Sequence, residues 1–106
     1  MPPTITLKYK IAQEYKYEGD DWWSWWIWID GGNNDLDQIV QVIYTLHSTF
    51  HNPVRKIKDR KTKFRLDTEG WGTFVIYAKL VLRNGQEVGL RHRLHLEYPD
   101  GSENKE

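Results

Sequence analysis

The sequence contains no cysteine, and it has no long run of apolar residues. The lack of cysteine excludes disulfide bonds and thiol catalysis, and it agrees with a reducing compartment. The longest apolar run, residues 22–29, includes a serine and is far shorter than the roughly 20 residues that span a bilayer. The N-terminus also lacks the basic and apolar pattern of a signal peptide. We therefore expect a cytoplasmic location and no membrane insertion.

The chain also has no excess of charge, since 15 Lys and Arg residues balance 15 Asp and Glu residues. A net charge of zero gives no global field that attracts nucleic acid, so a nucleic-acid partner is not indicated. A basic run at residues 55–65 is typical of a solvated loop or of an edge strand whose charges prevent aggregation. The length of 106 residues predicts one domain with a modest core. We assign that domain to residues 1–98 and a polar tail or linker to residues 99–106.

The spacing of apolar residues favours strands over helices. Alternation of apolar and polar residues indicates half-buried strands, and aromatic and β-branched residues favour extended backbone. Segments of this kind lie near residues 5–11, 22–29, 39–46, 64–66, 73–83 and 88–98. In the third segment Val40, Val42, Tyr44 and Leu46 fall on one face. The dipeptide Asn84-Gly85 predicts a type I′ hairpin. Six or seven strands at this spacing predict a β-sandwich, with a barrel as the second choice.

Six tryptophans in so short a chain are the one anomaly of composition. Most lie in the second strand, whose odd positions are Trp23, Trp25, Ile27 and Ile29 and whose even positions are Trp22, Ser24, Trp26 and Trp28. Both faces of this strand are therefore apolar, whereas a two-sheet sandwich buries only one of them. The other face would be covered by a loop, a tail, or a partner such as a second copy of the chain. A carbohydrate-binding module is an alternative, which coplanar tryptophans open to solvent would favour.

Two loops combine aromatic rings with hydrogen-bonding groups. The first, residues 47–53, places an imidazole, two hydroxyls and a phenyl ring before Asn52-Pro53, and proline restricts the backbone there. The second, Glu69-Gly70-Trp71-Gly72, places a large ring between two glycines. Glycine lets backbone approach a ligand closely. If the loops meet in space, they form a small aromatic clamp with hydroxyl and amide donors.

These two loops, in this order, resemble the paired signature of YEATS domains. The residues concerned are Leu46 to Pro53 and, further along the chain, Gly70-Trp71-Gly72-Thr73-Phe74. The similarity runs from about Ile5 to Tyr98, and Gly19-Asp20-Asp21-Trp22-Trp23 and Pro53-Val54-Arg55 favour the prokaryotic branch. The resemblance implies an all-β, immunoglobulin-like β-sandwich of antiparallel strands, about six to eight in number. It also implies a non-enzymatic protein-binding module without a cofactor.

The resemblance further implies a role for individual residues. In YEATS domains a lysine bearing an acyl group, of acetyl or crotonyl type, is threaded between two aromatic residues. The matching pocket residues are His47, Thr49, Phe50, Gly70, Trp71 and Gly72. Phe50 and Trp71 match the two walls, and Thr49 matches the hydroxyl residue that hydrogen-bonds the acyl-lysine amide. The backbone N–H of Trp71 would meet the acyl carbonyl, and His47 would support the hydroxyl. Trp22 or Trp23 would complete the cage. The expected partner is an acylated-lysine peptide or protein.

The same residues also have a purely structural explanation. His47 and Thr49 would then satisfy loop backbone groups, and Phe50 and Trp71 would plug the end of the sandwich. The chain would in that case be an interaction or oligomerisation domain with the YEATS fold only. Catalysis is not indicated, because a histidine adjacent to Ser48 and Thr49 does not make a triad. A metal site is not indicated either, since His92 and His95 would face opposite sides of one strand.

Overall fold

The computed structural model describes residues 8–105 and contains two antiparallel sheets that pack face to face. The elements are β1 (Lys10–Gly19), β2 (Trp22–Asp30), α1 (Asn33–Leu36), β3 (Ile39–Thr45), β4 (Val54–Ile57), a 3₁₀ turn (Arg60–Thr62), β5 (Leu66–Gly70), β6 (Val75–Leu82) and β7 (Glu87–Arg93). One sheet has the order β1-β2-β5, and the other has the order β4-β3-β6-β7. The seven strands of the described residues confirm the predicted β-sandwich. The start of the predicted first strand, Ile5 to Leu7, lies outside the described residues.

The core lies between the sheets, and β2 contributes its largest side chains. Trp23, Trp25, Ile27 and Ile29 are fully buried, because alternate residues of a strand face the same side. Val42, Tyr44, Ile76 and Leu80 meet them from the other sheet. Trp26 and Trp28 are half-buried on the outer face of β2. Within residues 8–105, no helix has the length and the apolar character needed to cross a membrane.

Several details of the predicted strands are wrong. β1 continues to Gly19, whereas the predicted strand ends at Ile11, and β5 runs to Gly70, whereas the predicted strand ends at Leu66. Val40 is 47% exposed, and Ile39 is buried in its place, because the pairing of β3 with β6 shifts register between Ile39 and Gln41. Such a bulge moves the preceding residues to the opposite face. The turn at Asn84-Gly85 is not type I′, since only Gly85 has a positive φ, of 87°, and type I′ requires positive φ at both central residues.

The basic run at residues 55–65 forms the edge strand β4 and the 3₁₀ turn. Lys63 and Phe64 follow with φ of 59° and 61°, in the left-handed region that non-glycine residues rarely adopt. This bend points Phe64 into the core, where it is fully buried. Its carbonyl accepts a hydrogen bond of 2.7 Å from the hydroxyl of Tyr44. Burial raises the pKa of Tyr44, which keeps the hydroxyl protonated as the donor.

The residues after β7 fold back on the sandwich. Leu94 and Leu96 are buried, and the chain then reverses so that Tyr98 N–H donates to the carbonyl of Ser102 (2.8 Å). Asn104 is only 5% exposed, and its N–H donates to the carbonyl of Leu96 (2.8 Å). We call residues 96–104 the C-terminal hairpin. The domain boundary at residue 98 stays a prediction, but the polar residues beyond it contact the sandwich.

Gln13 of β1 links the edges of the two sheets. Its Oε1 accepts from the backbone N–H of His95 (2.9 Å), and its Nε2 donates to the carbonyl of His95 (2.7 Å). The orientation of the amide is thereby fixed, so His92 Nε2, which lies 2.6 Å from the same Oε1, is the donor. Burial lowers the pKa of His92, which favours the neutral ring.

We predict that Tyr44→Phe destabilises the fold. The substitution leaves the Phe64 carbonyl buried without the hydroxyl donor, and an unsatisfied buried polar group costs about 1–3 kcal/mol. Urea denaturation should show a lower free energy of unfolding by this amount. Tyr77→Phe is the matched control, since Tyr77 is 54% exposed and its substitution should leave the midpoint unchanged. Equal midpoints for Tyr44→Phe and the parent would contradict this role of the hydroxyl.

We also predict a pH dependence of stability from His92. Burial holds the folded-state pKa of His92 below the usual histidine value, so the unfolded chain binds the proton more tightly than the folded chain. The stabilisation of the folded state by neutral His92 is therefore complete above the unfolded-state pKa, and it is lost as the pH falls through the folded-state pKa. Between about pH 7.5 and about pH 5 the urea midpoint should fall, because histidine titrates in this range. The fall should be smaller in His92→Gln, and an identical fall in both proteins would rule out this assignment.

Candidate functional site

The two aromatic loops meet at one end of the sandwich and enclose a cleft of about 530 Å³. The residues that line it are Trp22, His47, Thr49, Phe50, His51, Glu69, Gly70, Trp71, Gly72, Thr73 and Phe74. Strand pairing explains the meeting, because Trp23 of β2 lies opposite Gly70 of β5. The loop after Gly70 therefore begins beside Trp22. The volume lies within the range of about 300–1,000 Å³ that is typical of small-molecule sites.

All six residues predicted for the pocket line this cleft. Of the two tryptophans considered for the cage, Trp22 lines the cleft and is 38% exposed, whereas Trp23 is fully buried. Trp23 is therefore excluded as a cage or interface residue. It faces the core because it occupies the inward register of β2, and its indole N–H donates to the carbonyl of Glu97 (2.9 Å). Trp22, the residue before it, lines the cleft.

The other two tryptophans considered for an interface, Trp26 and Trp28, do not line the cleft. Both are half-buried, and the guanidinium of Arg65 lies 5.0 Å from the ring centroid of Trp26, within cation–π range. Asp67 accepts a hydrogen bond from the same guanidinium. Arg65 of this chain therefore covers part of the outer face of β2. The open row of tryptophans that a carbohydrate-binding surface requires is not present in the described residues.

His47 and Thr49 form a local hydrogen-bonded pair. The backbone N–H of Thr49 donates to His47 Nδ1 (3.3 Å), and Thr49 Oγ1 lies 2.9 Å from the same nitrogen. A backbone N–H is always a donor, so Nδ1 is an acceptor and the threonine hydroxyl also directs its proton to it. The lone pairs of Oγ1 are then available to a ligand. The pair therefore presents an oriented hydrogen-bond acceptor at the cleft.

Phe50 forms a wall of the cleft that the core holds in place. Its ring centroid lies 5.3 Å from that of Phe74 and 6.3 Å from that of Trp25, distances typical of favourable aromatic pairs. A Cβ added to Gly70 would lie 3.7 Å from Phe50 Cζ. A side chain at this position would therefore extend into the space between the loops, and glycine keeps that space open.

Trp71 forms the opposite wall and is 57% exposed. It follows Gly70, the last residue of β5, so its backbone N–H lies just beyond the end of the strand. Its carbonyl accepts a hydrogen bond of 2.6 Å from Asn104 Nδ2. The ring is therefore exposed to solvent, while the backbone beside it is hydrogen-bonded to the C-terminal hairpin.

Phe74 and Asn104 were not predicted as site residues, although both contact the cleft or its loops. Phe74 lines the cleft, and its ring packs against those of His47 and Phe50. Phe74 belongs to an alternating strand pattern, which indicates a core residue. The pattern gives no sign that the same ring also lines the cleft. For Asn104, the available signal is Pro99-Asp100-Gly101, a turn sequence that predicts chain reversal into the observed hairpin.

The cleft is lined by aromatic, hydroxyl and backbone groups. Within the described part of the chain, no group of three His, Cys, Asp or Glu side chains is arranged to hold a metal ion. The cleft instead brings together the rings of Phe50 and Trp71, the hydroxyl of Thr49 and the backbone at the end of β5.

Comparison with known proteins identifies the family. A model of the prokaryotic YEATS domain matches residues 23–95. The chain is 31% identical over 96 residues to transcription initiation factor TFIID subunit 14b of Arabidopsis thaliana, which covers 86% of this chain and 33% of that protein. It is 35% identical over 77 residues to the AF-9 homolog of Saccharomyces cerevisiae, which covers 68% of this chain and 33% of that protein. The chain spans about a quarter to a third of the length of the curated relatives it matches.

Solved structures show the same fold. The Yaf9 YEATS domain recognising an H3K122suc peptide superposes with a TM-score of 0.64 and 30% identity, covering 83% of this chain and 70% of that chain. The Yaf9 YEATS domain bound to H3K27ac gives a TM-score of 0.66 and 28% identity, covering 85% and 70%. These matches confirm the immunoglobulin-like β-sandwich and the predicted family. The chain belongs to the prokaryotic YEATS domain family.

Proposed function

We propose that this chain is a non-enzymatic binding module that holds an acylated lysine side chain between Phe50 and Trp71. The observation that supports this most directly is the cleft itself, where two aromatic walls flank an oriented hydroxyl and a backbone N–H. The solved complexes of the Yaf9 YEATS domain with H3K122suc and H3K27ac support the class of ligand. The partner would be a peptide or protein bearing such a lysine, with an acyl group of acetyl or crotonyl type.

The physical basis is the neutrality of the acylated side chain. Acylation removes the ammonium charge of lysine, so the group enters an aromatic cleft without the large cost of burying a cation. Each ring stacked on the flat acyl group would contribute about 0.5–1.5 kcal/mol, and each buried CH₂ about 0.8 kcal/mol. After the cost of association, we expect affinities of about micromolar order.

Each polar group of the amide has a partner in this arrangement. The amide N–H of the acyl-lysine donates to Thr49 Oγ1, whose own proton is directed to His47 Nδ1. The acyl carbonyl accepts from the backbone N–H of Trp71. Trp22, at the edge of the cleft, is the third aromatic residue near the acyl group. The cleft would thus satisfy both polar ends of the amide, as burial of a polar group requires.

We predict that Trp71→Ala weakens binding of an acetyl- or crotonyl-lysine peptide at least tenfold. The substitution removes one aromatic wall, and a loss of about 1.4 kcal/mol corresponds to a factor of ten. Isothermal titration calorimetry measures the effect, with the unmodified lysine peptide as the ligand control. Tyr77→Ala removes an equally exposed ring elsewhere and should bind like the parent. Parent-like binding by Trp71→Ala would disprove the clamp.

We also predict that Thr49→Val weakens binding about tenfold, since loss of a hydrogen bond that leaves a buried partner unsatisfied costs about 1–3 kcal/mol. Valine keeps the shape of threonine but offers no acceptor. The matched variant is Thr49→Ser, which keeps the hydroxyl and should bind within about threefold of the parent. The two-variant comparison should be made by NMR titration of labelled protein. Equal affinities for the valine and serine variants would show that the hydroxyl does not contact the amide.

A further inference from the structure

We propose that Asn104 is a positioning residue for the cleft, and that it holds the Trp71 loop in the conformation that binds the acyl group. This inference rests on the function proposed above and adds to it a residue outside both aromatic loops. Asn104 lies nine positions beyond the end of the segment that matches the family model, residues 23–95. The binding unit would therefore extend through the C-terminal hairpin.

The first support is the geometry of Asn104 itself. Its side-chain Nδ2 donates to the carbonyl of Trp71 at 2.6 Å, and its backbone N–H donates to the carbonyl of Leu96 at 2.8 Å. Leu96 is fully buried, and Asn104 is 5% exposed. The donor thus projects from backbone that is fixed to the core. A hydrogen bond from such a fixed group restrains its acceptor, because the donor has little freedom to follow a moving loop.

The second support is that Trp71 lies just beyond the paired end of β5. Gly72, the residue after it, gives the backbone on that side more conformational freedom than any other residue would. The indole ring is 57% exposed, so burial in the core does not fix it. Fixing the carbonyl of Trp71 sets the plane of the following peptide bond. The N–H of Trp71, which is the group proposed to meet the acyl carbonyl, lies in the preceding peptide plane. Because Gly70 is paired with Trp23 and the Trp71 carbonyl is bonded to Asn104, the backbone on both sides of this N–H is restrained.

The third support is the rigidity of the C-terminal hairpin. Its turn is closed by Gly101 N–H donating to the carbonyl of Tyr98 (2.9 Å), and Gly101 has a φ of 89°, as glycine favours. The hydroxyl of Tyr98 donates to Asp21 (2.7 Å), and the indole of Trp23 donates to the carbonyl of Glu97 (2.9 Å). The hairpin is therefore attached to the β1–β2 turn and to the core. Through the hydrogen bond from Asn104, it restrains the Trp71 loop.

The test compares the parent with Asn104→Leu and Asn104→Asp. Both substitutions are close in size to asparagine and remove the amide donor, but leucine adds no charge. The control is Glu103→Gln, a change at the adjacent exposed residue of the same hairpin, whose side chain contacts His95 instead. Two quantities are measured: hydrogen exchange of the amides of residues 71–73 without ligand, and the affinity for an acetyl-lysine peptide. Amide exchange at Val42, in the core, reports global stability.

We expect faster exchange in residues 71–73 and an affinity about fivefold to tenfold weaker for both Asn104 variants, in line with the loss of one ordering hydrogen bond. Exchange at Val42 should change less, and Glu103→Gln should match the parent in both measurements. Faster loop exchange with unchanged affinity would overturn the positioning role, and so would unchanged exchange. If the parent binds no acyl-lysine peptide, the proposed function fails. The exchange measurement, which needs no ligand, then still decides whether Asn104 orders the loop.

Discussion

The antiparallel pairing of β2 with β5 is the constraint on which the cleft depends. The register that places Trp23 opposite Gly70 turns Trp23 into the core and leaves Trp22 at the edge of the cleft. It also ends the strand at Gly70, so the Trp71 loop leaves the sheet beside the first loop. A register shift of one residue would turn each side chain of β2 to the opposite face, and it would move Trp71 away from Phe50. The large buried tryptophans of β2 oppose such a shift, since they fit the core in one register only.

The two walls of the cleft are held in different ways. Phe50 packs against Phe74 and Trp25, so the close packing of the core fixes its ring. Trp71 is mostly outside the core, and its backbone carbonyl accepts a hydrogen bond from Asn104. One side of the cleft is therefore packed on the sandwich, and the other is a loop that contacts the C-terminal hairpin. This difference explains why residues far apart in sequence contribute to one site.

Family membership and the chemistry of the cleft support the same function from separate directions. The family rests on the match of residues 23–95 and on the shared sandwich. The chemistry rests on this chain's own hydroxyl, backbone N–H and aromatic rings. Tryptophan at position 71 offers a larger ring face than phenylalanine at position 50, and a larger face gains more from stacking on a flat group. The local pair of His47 and Thr49 adds direction, since it leaves an acceptor rather than a donor at the cleft.

The sequence by itself determined the all-β class and the contents of the two loops, but not the bounds of β1 and β5. Alternation marks a strand because side chains point to opposite faces in turn, and the glycines and proline mark the loop boundaries. It did not determine which face of β2 is buried, because both faces are apolar and only the opposing sheet distinguishes them. The bulge before Gln41 likewise depends on the partner strand. The contact between Asn104 and Trp71 joins residues 33 positions apart. Only the tertiary structure decides such contacts, because local patterns contain no information on which distant groups become neighbours.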